Sequence, residues 1–486
     1  RKFPISHMEK AVKAVLVIAV FVFLGWFFSY RILNTPLGLT ADEGAFAYNA
    51  VLLSQTGRDE NNRLLPVFVL SLNGSDWRQP VTQYYMALFF KIFGPSVFNL
   101  RFTSVVITLV SAILLFILSR HLFGRNMAIL ATGIFLTTPL IMIQSHLGLD
   151  NIMPVPFTII WLLGLYLFTQ TRKNKFLYLA GVSLGIAFYS YKGMRATVPV
   201  WYLLTAFYLF TQETFPKFIR RLLAFSLGIG PFFLAIPWLE SLYPGAVFDR
   251  HTFNWNSIYT FLYPYFSSFD ISFLFIQGDA TAWHSTGRHG MMLLATLPLF
   301  VFGLYQAFRK KGYWYFVVAS FFTAPLLFGF VGSVHRASRL MSIIPSYALI
   351  SVLGAVWLWS KKKIILVAII FASIINYWDF VKFYWYQYPE LTRIWFGDMV
   401  AYQDYQALGI QAKKLHRQPY ISTQIVSGQG HSGRYFAAAY VGLAVKQLAD
   451  SDPLPPNSLL MSQREEIPGL IPLPADTRLY HLFIAR

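Results

Sequence analysis

The chain has 486 residues, of which 56% are hydrophobic and 18% aromatic, and its formal net charge is +19. A soluble core does not need that much apolar surface, whereas a bundle of membrane spans does. The basic residues form short clusters between apolar stretches, a topology signal that excludes nucleic acid as a partner. The absence of cysteine excludes disulfides, zinc–thiolate sites and a thiol nucleophile.

A span takes about 20 mostly apolar residues. Eleven stretches qualify: 12–30, 98–119, 126–143, 152–170, 176–191, 196–211, 222–240, 290–307, 313–331, 340–359 and 364–381. Lys10 precedes the first, Lys13 lies at its start and Arg31 follows it without a small-residue cleavage site, so it reads as a retained span. Another stretch, Val81 to Phe93, is broken by Lys91 and is expected as a helix partly buried at the interface. With the N-terminus in the cytoplasm, alternation places Arg120 and Arg125, Arg172 to Lys175, Lys217 to Arg221, Arg309 to Lys311 and Lys361 to Lys363 in inner loops. Of the 21 acids only Glu9 and Glu213 then fall inside, as the positive-inside rule requires, and the reverse orientation violates it.

The expected fold class is mainly α: a polytopic membrane helix bundle of about 11 spans over residues 1–381, with large outer loops at about 31–97 and 241–289. An odd number of spans leaves residues 382–486 outside as a small α/β domain. Its helical patterns lie near 399–415 and 434–449, and its strand-like segments are Ile421 to Val426, Ser458 to Met461 and Arg478 to Ala485.

Asp42 and Glu43 follow the first span directly. Two adjacent acids there are costly in hydrocarbon and point to a polar site at the membrane edge. Phe46, Ala50 and Leu53 then recur at i, i+4 and i+7, one stripe of a short helix that Gly57 can end and that is expected to lie along the membrane surface. Asp59, Glu60 and Asp76 read as solvated loop acids. Asp150 is either a helix cap before Ile152 or a second acid of the site. Lys192, Arg195, His335, Arg336, Arg339 and Arg101 run against the positive-inside trend. They either snorkel to headgroups or pair with a phosphate, for which Arg forks and Lys point charges are suited. Asp279, His284, Arg288 and His289 suggest a polar lid; their spacing fits no zinc signature.

No GxxxxGK[ST], HExxH or GxSxG motif occurs, which argues against a P-loop pump and the corresponding hydrolases. Asp450-Ser451-Asp452 has the spacing of a metal-holding DxD but precedes Pro453-Leu454-Pro455-Pro456, so it is expected as a turn. No metal site and no cofactor are expected, with a divalent metal requirement left open.

The ordered set formed by the Asp42-Glu43 pair, Gly57 to Glu60, Gln79-Pro80 with Tyr84-Tyr85, Lys91 to Arg101, Asp150, Lys192-Gly193, Asp279 with His284, and Arg336 and Arg339 before Pro345 resembles the bacterial members of glycosyltransferase family 39. This is the protein mannosyltransferase and aminoarabinose transferase group of the GT-C superfamily, and the resemblance covers about residues 10–380. It implies a GT-C-type bundle that moves a sugar from a polyprenyl-phosphate donor to a lipid, glycan or protein acceptor on the outer face of a bacterial-type inner membrane, with inversion. On this resemblance Asp42 is the general base, Glu43 a positioning acid and Asp150 a second acid. Lys192 and Arg339 hold the leaving phosphate, Arg195, Arg336 and Arg101 are further substrate-side cations, and His284 is a loop contact. No large luminal sugar-binding-like domain is recognisable, which leaves the acceptor class open. The alternatives are a secondary transporter carrying ions on these acids, a GT-C-type oligosaccharide ligase using a diphosphate carrier, and a scaffold displaying the tail. Transporter acids usually sit near the midplane, often within repeats, and neither pattern is present here.

Overall fold

The computed structural model describes residues 7–72, 74–248, 257–332, 334–396, 399–425 and 430–485. Helix α1 (His7–Ser29) leads through a loop to α2 (Ala41–Thr56), a short hairpin of β1 (Val69–Ser71) and β2 (Asp76–Arg78), and α3 (Pro80–Phe93). The stretch interrupted by Lys91 is thus helical; it buries Met86 and Phe90 and leaves Leu88 and Ile92 exposed.

The bundle continues with α4 (Val97–Phe123), α5 (Arg125–Leu136), α6 (Pro139–Ser145), α7 (Pro154–Thr171), α8 (Asn174–Phe188), α9 (Met194–Gln212), α10 (Phe215–Leu234) and α11 (Ile236–Leu242). Pro139 has no amide hydrogen and starts α6 at its first turn, so α5 and α6 meet at a 62° bend. Where α8 crosses α10, a Cβ on Gly181 or Gly228 would meet the facing main-chain carbonyls of Phe225 and Tyr178, so the two backbones are in contact. Trp161 of α7 stacks on Trp201 of α9 at 4.5 Å and donates to Thr205, fixing the middle of the bundle.

Helix α12 (Ile258–Ser267) lies in the second large loop. It is followed by α13 (Leu297–Lys310), α14 (Tyr313–Thr323), α15 (Leu326–Val331), a 3₁₀ turn (Ala337–Ile343) running into α16 (Ile344–Lys361), and α17 (Lys363–Tyr386). Among the described residues six helical segments are long and apolar enough to cross a membrane, and a seventh if the bent α5–α6 pair is one span. The stretches expected as spans are helical over most of their length. Helices α8, α9 and α13 among them are shorter or less apolar than those six.

The C-terminal part comprises α18 (Tyr388–Phe396), α19 (Met399–Leu415), α20 (Gly430–Val441) and a sheet of β3 (Gln418–Ser422), β4 (Lys446–Leu448), β5 (Ser458–Ser462), β6 (Leu470–Leu473) and β7 (His481–Ala485). The order is β4-β3-β5-β7-β6, parallel within β4-β3-β5 and antiparallel from β5 to β6. Strand β6 contains Pro472, which hides it from a strand pattern; it is tolerated because β6 is an edge. The helical pattern at 434–449 ends early and its last residues form β4. Asp450 to Asp452 form a turn in which Asp450 accepts from Ser462 at 2.8 Å.

Candidate active site

The first turn of α2 is built by a capping box. Thr40 Oγ1 accepts from the Glu43 amide at 3.0 Å and Glu43 Oε2 accepts from the Thr40 amide at 3.1 Å. Gly57 closes the helix in the left-handed region, φ 69°, as its position suggested. Every residue from Glu43 to Ser54 is buried, so α2 is covered on all sides and not along its apolar stripe alone. It is enclosed between α3 and α20, whose contact faces are not visible in the periodicity of α2 itself.

Glu43 points inward. Its Oε1 accepts from Arg101 Nε at 3.0 Å and from the Gly148 amide at 2.9 Å. Arg101 also donates to the carbonyls of Ile32 and Pro36, each at 2.8 Å, and of Gly38. Neither side chain is exposed. Arg101, expected on the substrate side, therefore ties α4 to the 32–43 segment, and its donors are consumed there. Glu43 joins the same knot to the loop before α7.

Asp42 faces the other way, with 54% of its side chain exposed. Its Oδ1 accepts from Arg78 at 2.7 Å, and Arg78 is also 3.3 Å from Asp76 and donates to Ser71 at 2.8 Å. The Arg78 guanidinium lies 4.6 Å from the centre of the Phe46 ring. Lys192 Nζ reaches Asp76 at 2.6 Å. Asp42, Arg78, Asp76 and Lys192 thus form one chain of alternating charge linking α2, the β1–β2 hairpin and the α8–α9 tip. Burial opposes the charge on Arg78, but Asp42, Asp76 and Asp150 outweigh it and raise its pKa.

Asp150 lies within the field of this chain. Burial pushes its carboxyl up to about 7, Arg78 pulls it down, and Asp42 and Asp76 add to the rise. It does not cap α7, whose cap position is Met153 and which begins at Pro154. Tyr191, beside Lys192, feels Arg339, Asp150 and Asp42 together, so Arg339 shares this neighbourhood.

The remaining expected residues are distributed around it. His284 Nδ1 meets Gln144 Nε2 at 3.0 Å, and Gln144 Oε1 accepts from Asn151 at 3.3 Å, so the imidazole is the acceptor. Burial lowers its pKa to about 4; Asp279 opposes this, while Arg336 and Arg339 add to it, which makes His284 a neutral contact. The lid residues are pinned at separate points. Asp279 Oδ2 accepts from the Ala337 amide at 2.6 Å, and His289 and Arg288 approach Asp379 of α17 at 3.1 and 3.7 Å. Arg336 precedes the 3₁₀ turn. Arg195 donates to the Val247 carbonyl at 3.0 Å and so braces the turn after α11. Among the described residues no three His, Asp or Glu side chains come together as a metal would need.

Arg78 is the site residue that the sequence reading passed over, and Asp76 the one read as solvated. Arg78 carried the same signal as Lys192, a cation in an outer loop against the positive-inside trend.

Residues 78–239 match the family described as dolichyl-phosphate-mannose-protein mannosyltransferase, a segment that includes Arg78, Asp150 and Lys192 but starts after Asp42. No curated protein sequence matches the chain. Solved structures share its fold. The apo crystal structure of ArnT from Cupriavidus metallidurans aligns with TM-score 0.59 at 12% identity over 90% of this chain and 87% of that one. The same protein bound to undecaprenyl phosphate aligns with TM-score 0.57 at 10% identity over the same shares. The oligosaccharyltransferase of Archaeoglobus fulgidus, in complex with Zn and sulfate, aligns with TM-score 0.54 at 11% identity over 88% of this chain and 62% of that one. The chain therefore has the GT-C membrane fold, and the resemblance read from the sequence stands at the level of that fold.

Proposed function

We propose that the chain is a membrane glycosyltransferase that moves a sugar from a polyprenyl-phosphate carrier to an acceptor, with Asp42 as general base. The observation that carries this reading is the half-exposed Asp42 held at one end of a charge chain whose other members are Arg78, Asp76 and Lys192. A hydroxyl or amine of the acceptor attacks the anomeric carbon, and the new bond to carbon forms as the carbon–oxygen bond to phosphate breaks. The proton passes to Asp42 and the polyprenyl phosphate leaves with the bonding electrons. Displacement in one step inverts the anomeric centre and needs one base and a charge clamp, not the paired carboxylates of a retaining hydrolase.

Lys192 and Arg339 supply the clamp, since fixed cations stabilise charge that grows on a leaving phosphate. The donor phosphate would then exchange places with the Asp76 carboxylate on Lys192. Asp150, protonated below about pH 7, lies in the field of Arg78, Asp42 and Asp76 without adding a full negative charge to it. Glu43 and Arg101 act through the fold and do not touch substrate. An apolar cavity of about 290 Å³ lies between α1, α5 and α17, lined by Phe27, Leu130, Ile134, Ile374 and Trp378, and suits the carrier's hydrocarbon. That carrier class is also the one bound by ArnT in the second crystal structure.

The same reading places the site on the outer face of a bacterial-type inner membrane, with the N-terminus inside. Successive helices run up and down, and the basic turns at 120–125, 172–175 and 309–311 gather at the end away from Asp42. There Tyr166 donates to the His121 carbonyl at 3.0 Å and Phe123 packs against Trp314 at 5.4 Å. The test is to incubate membranes containing the chain with polyprenyl phosphates bearing different labelled sugars. Label moving from one donor to a lipid, glycan or protein supports the reading; no movement from any donor, with the protein folded, rejects it.

A further inference from the structure

We infer that the C-terminal helices α19 and α20 are a positioning element for Asp42, and that Tyr402 is the residue through which they act. The inference rests on Asp42 being the base. Residues 382–486 look in sequence like an appended domain, yet four of their contacts grip α2 and the residues just before and after it. The Tyr402 hydroxyl accepts from the Leu39 amide at 2.8 Å and lies 3.2 Å from the Leu39 carbonyl, so one buried side chain satisfies both main-chain groups of the residue before the Thr40 cap. Ser432 of α20 sits 3.5 Å from the Thr40 carbonyl, and a Cβ on Gly44 would meet the Ser432 amide nitrogen at 2.5 Å. Farther along, Val445 donates to Tyr48 at 2.9 Å, and Arg434 lies 3.3 Å from Glu60, which in turn holds Asn49 at 3.0 Å.

Asp42 is the second residue of α2, so the direction of its carboxylate follows the direction of that first turn. The capping box sets the turn's internal geometry, and Arg101 anchors its inner side. Beside that anchor Tyr402 and Ser432 hold Leu39 and Thr40, the residues from which the turn starts. A phenol serves here because its ring is buried against Phe436 at 5.0 Å while its hydroxyl reaches the main chain. Positions that fix a base within a fraction of an ångström change turnover without touching substrate.

Tyr402→Phe keeps the ring and removes only the hydroxyl, and it is tested in the full chain in membranes and detergent. The expected result is a kcat lowered roughly tenfold with donor KM unchanged, together with faster amide hydrogen exchange confined to residues 38–44. An unchanged kcat, or an exchange increase spread evenly over the whole chain, overturns the inference, the latter because it marks simple loss of stability. Asp42→Asn is measured in parallel. If it retains turnover, the base assignment fails, whereas the local exchange effect of Tyr402→Phe still reports on the grip itself.

Discussion

Asp42 and Glu43 are neighbours on the first turn of α2, yet Glu43 and its partner Arg101 expose none of their side chains, while Asp42 exposes 54% and its partner Arg78 6%. Consecutive positions on a helix point about 100° apart, so a pair of adjacent acids at this turn is divided between the interior and the surface. The inner pair is closed: each oxygen of Glu43 has a donor and Arg101 spends its donors on three carbonyls as well. The outer pair is open. Asp42 has Arg78 on one oxygen, and its other oxygen makes no hydrogen bond among the described residues. One ion pair holds the loop in place and the other leaves an oxygen for the base role proposed for Asp42.

The contrast is broken most severely at Asp42. Asp42→Asn should lower turnover by about 10²–10⁴-fold while thermal unfolding in detergent stays close to that of the parent. Near-normal turnover would remove Asp42 from the base role. At Glu43 the expected damage is to the fold. Glu43→Gln leaves the buried Arg101 without its counter-charge, which costs about 3–5 kcal/mol and should show as a large fall in the unfolding midpoint. A stable Glu43→Gln variant with normal kinetics would mean that the inner pair is dispensable.

A smaller effect is expected at the far end of the outer chain. In the proposed clamp Lys192→Ala removes a charge-assisted bond to the donor phosphate, and donor KM should rise by about tenfold; unchanged kinetics at limiting donor would take Lys192 out of the clamp. The smallest effect is a pH dependence at Asp150. Its folded-state value near 7 lies above the unfolded 3.8, so between those values the unfolded chain releases a proton that the folded chain keeps. Stability therefore falls as pH rises through that window and levels off above it. Asp150→Asn should flatten that slope in unfolding midpoints measured from pH 4 to 8; an unaltered slope would assign it to other groups.

Much of this was legible in the residues. Apolar runs marked the helices because hydrocarbon tolerates a backbone only when its polar groups are bonded within the segment. Gly57 marked the end of α2, and the Asp42-Glu43 pair marked the polar site. The opposite fates of those two acids were not legible, since both look alike until Arg101 arrives from α4 and Arg78 from the hairpin. Arg101 and Arg78 carry the same charge and both are buried; what differs is the carboxylate each meets, enclosed at Glu43 and half-exposed at Asp42.

Composition, periodicity and the placement of charge determined a helical membrane protein with a polar centre at one end, because these depend on the cost of each residue in hydrocarbon or water. Three things were decided by tertiary structure alone: α2 is enclosed by α20, the imidazole of His284 is neutral, and Asp76 joins Lys192 to Arg78. Each depends on groups between 116 and 392 residues apart in the chain meeting within a few ångströms. Electrostatic and steric energies at that range are set by distance in space, which no local pattern records.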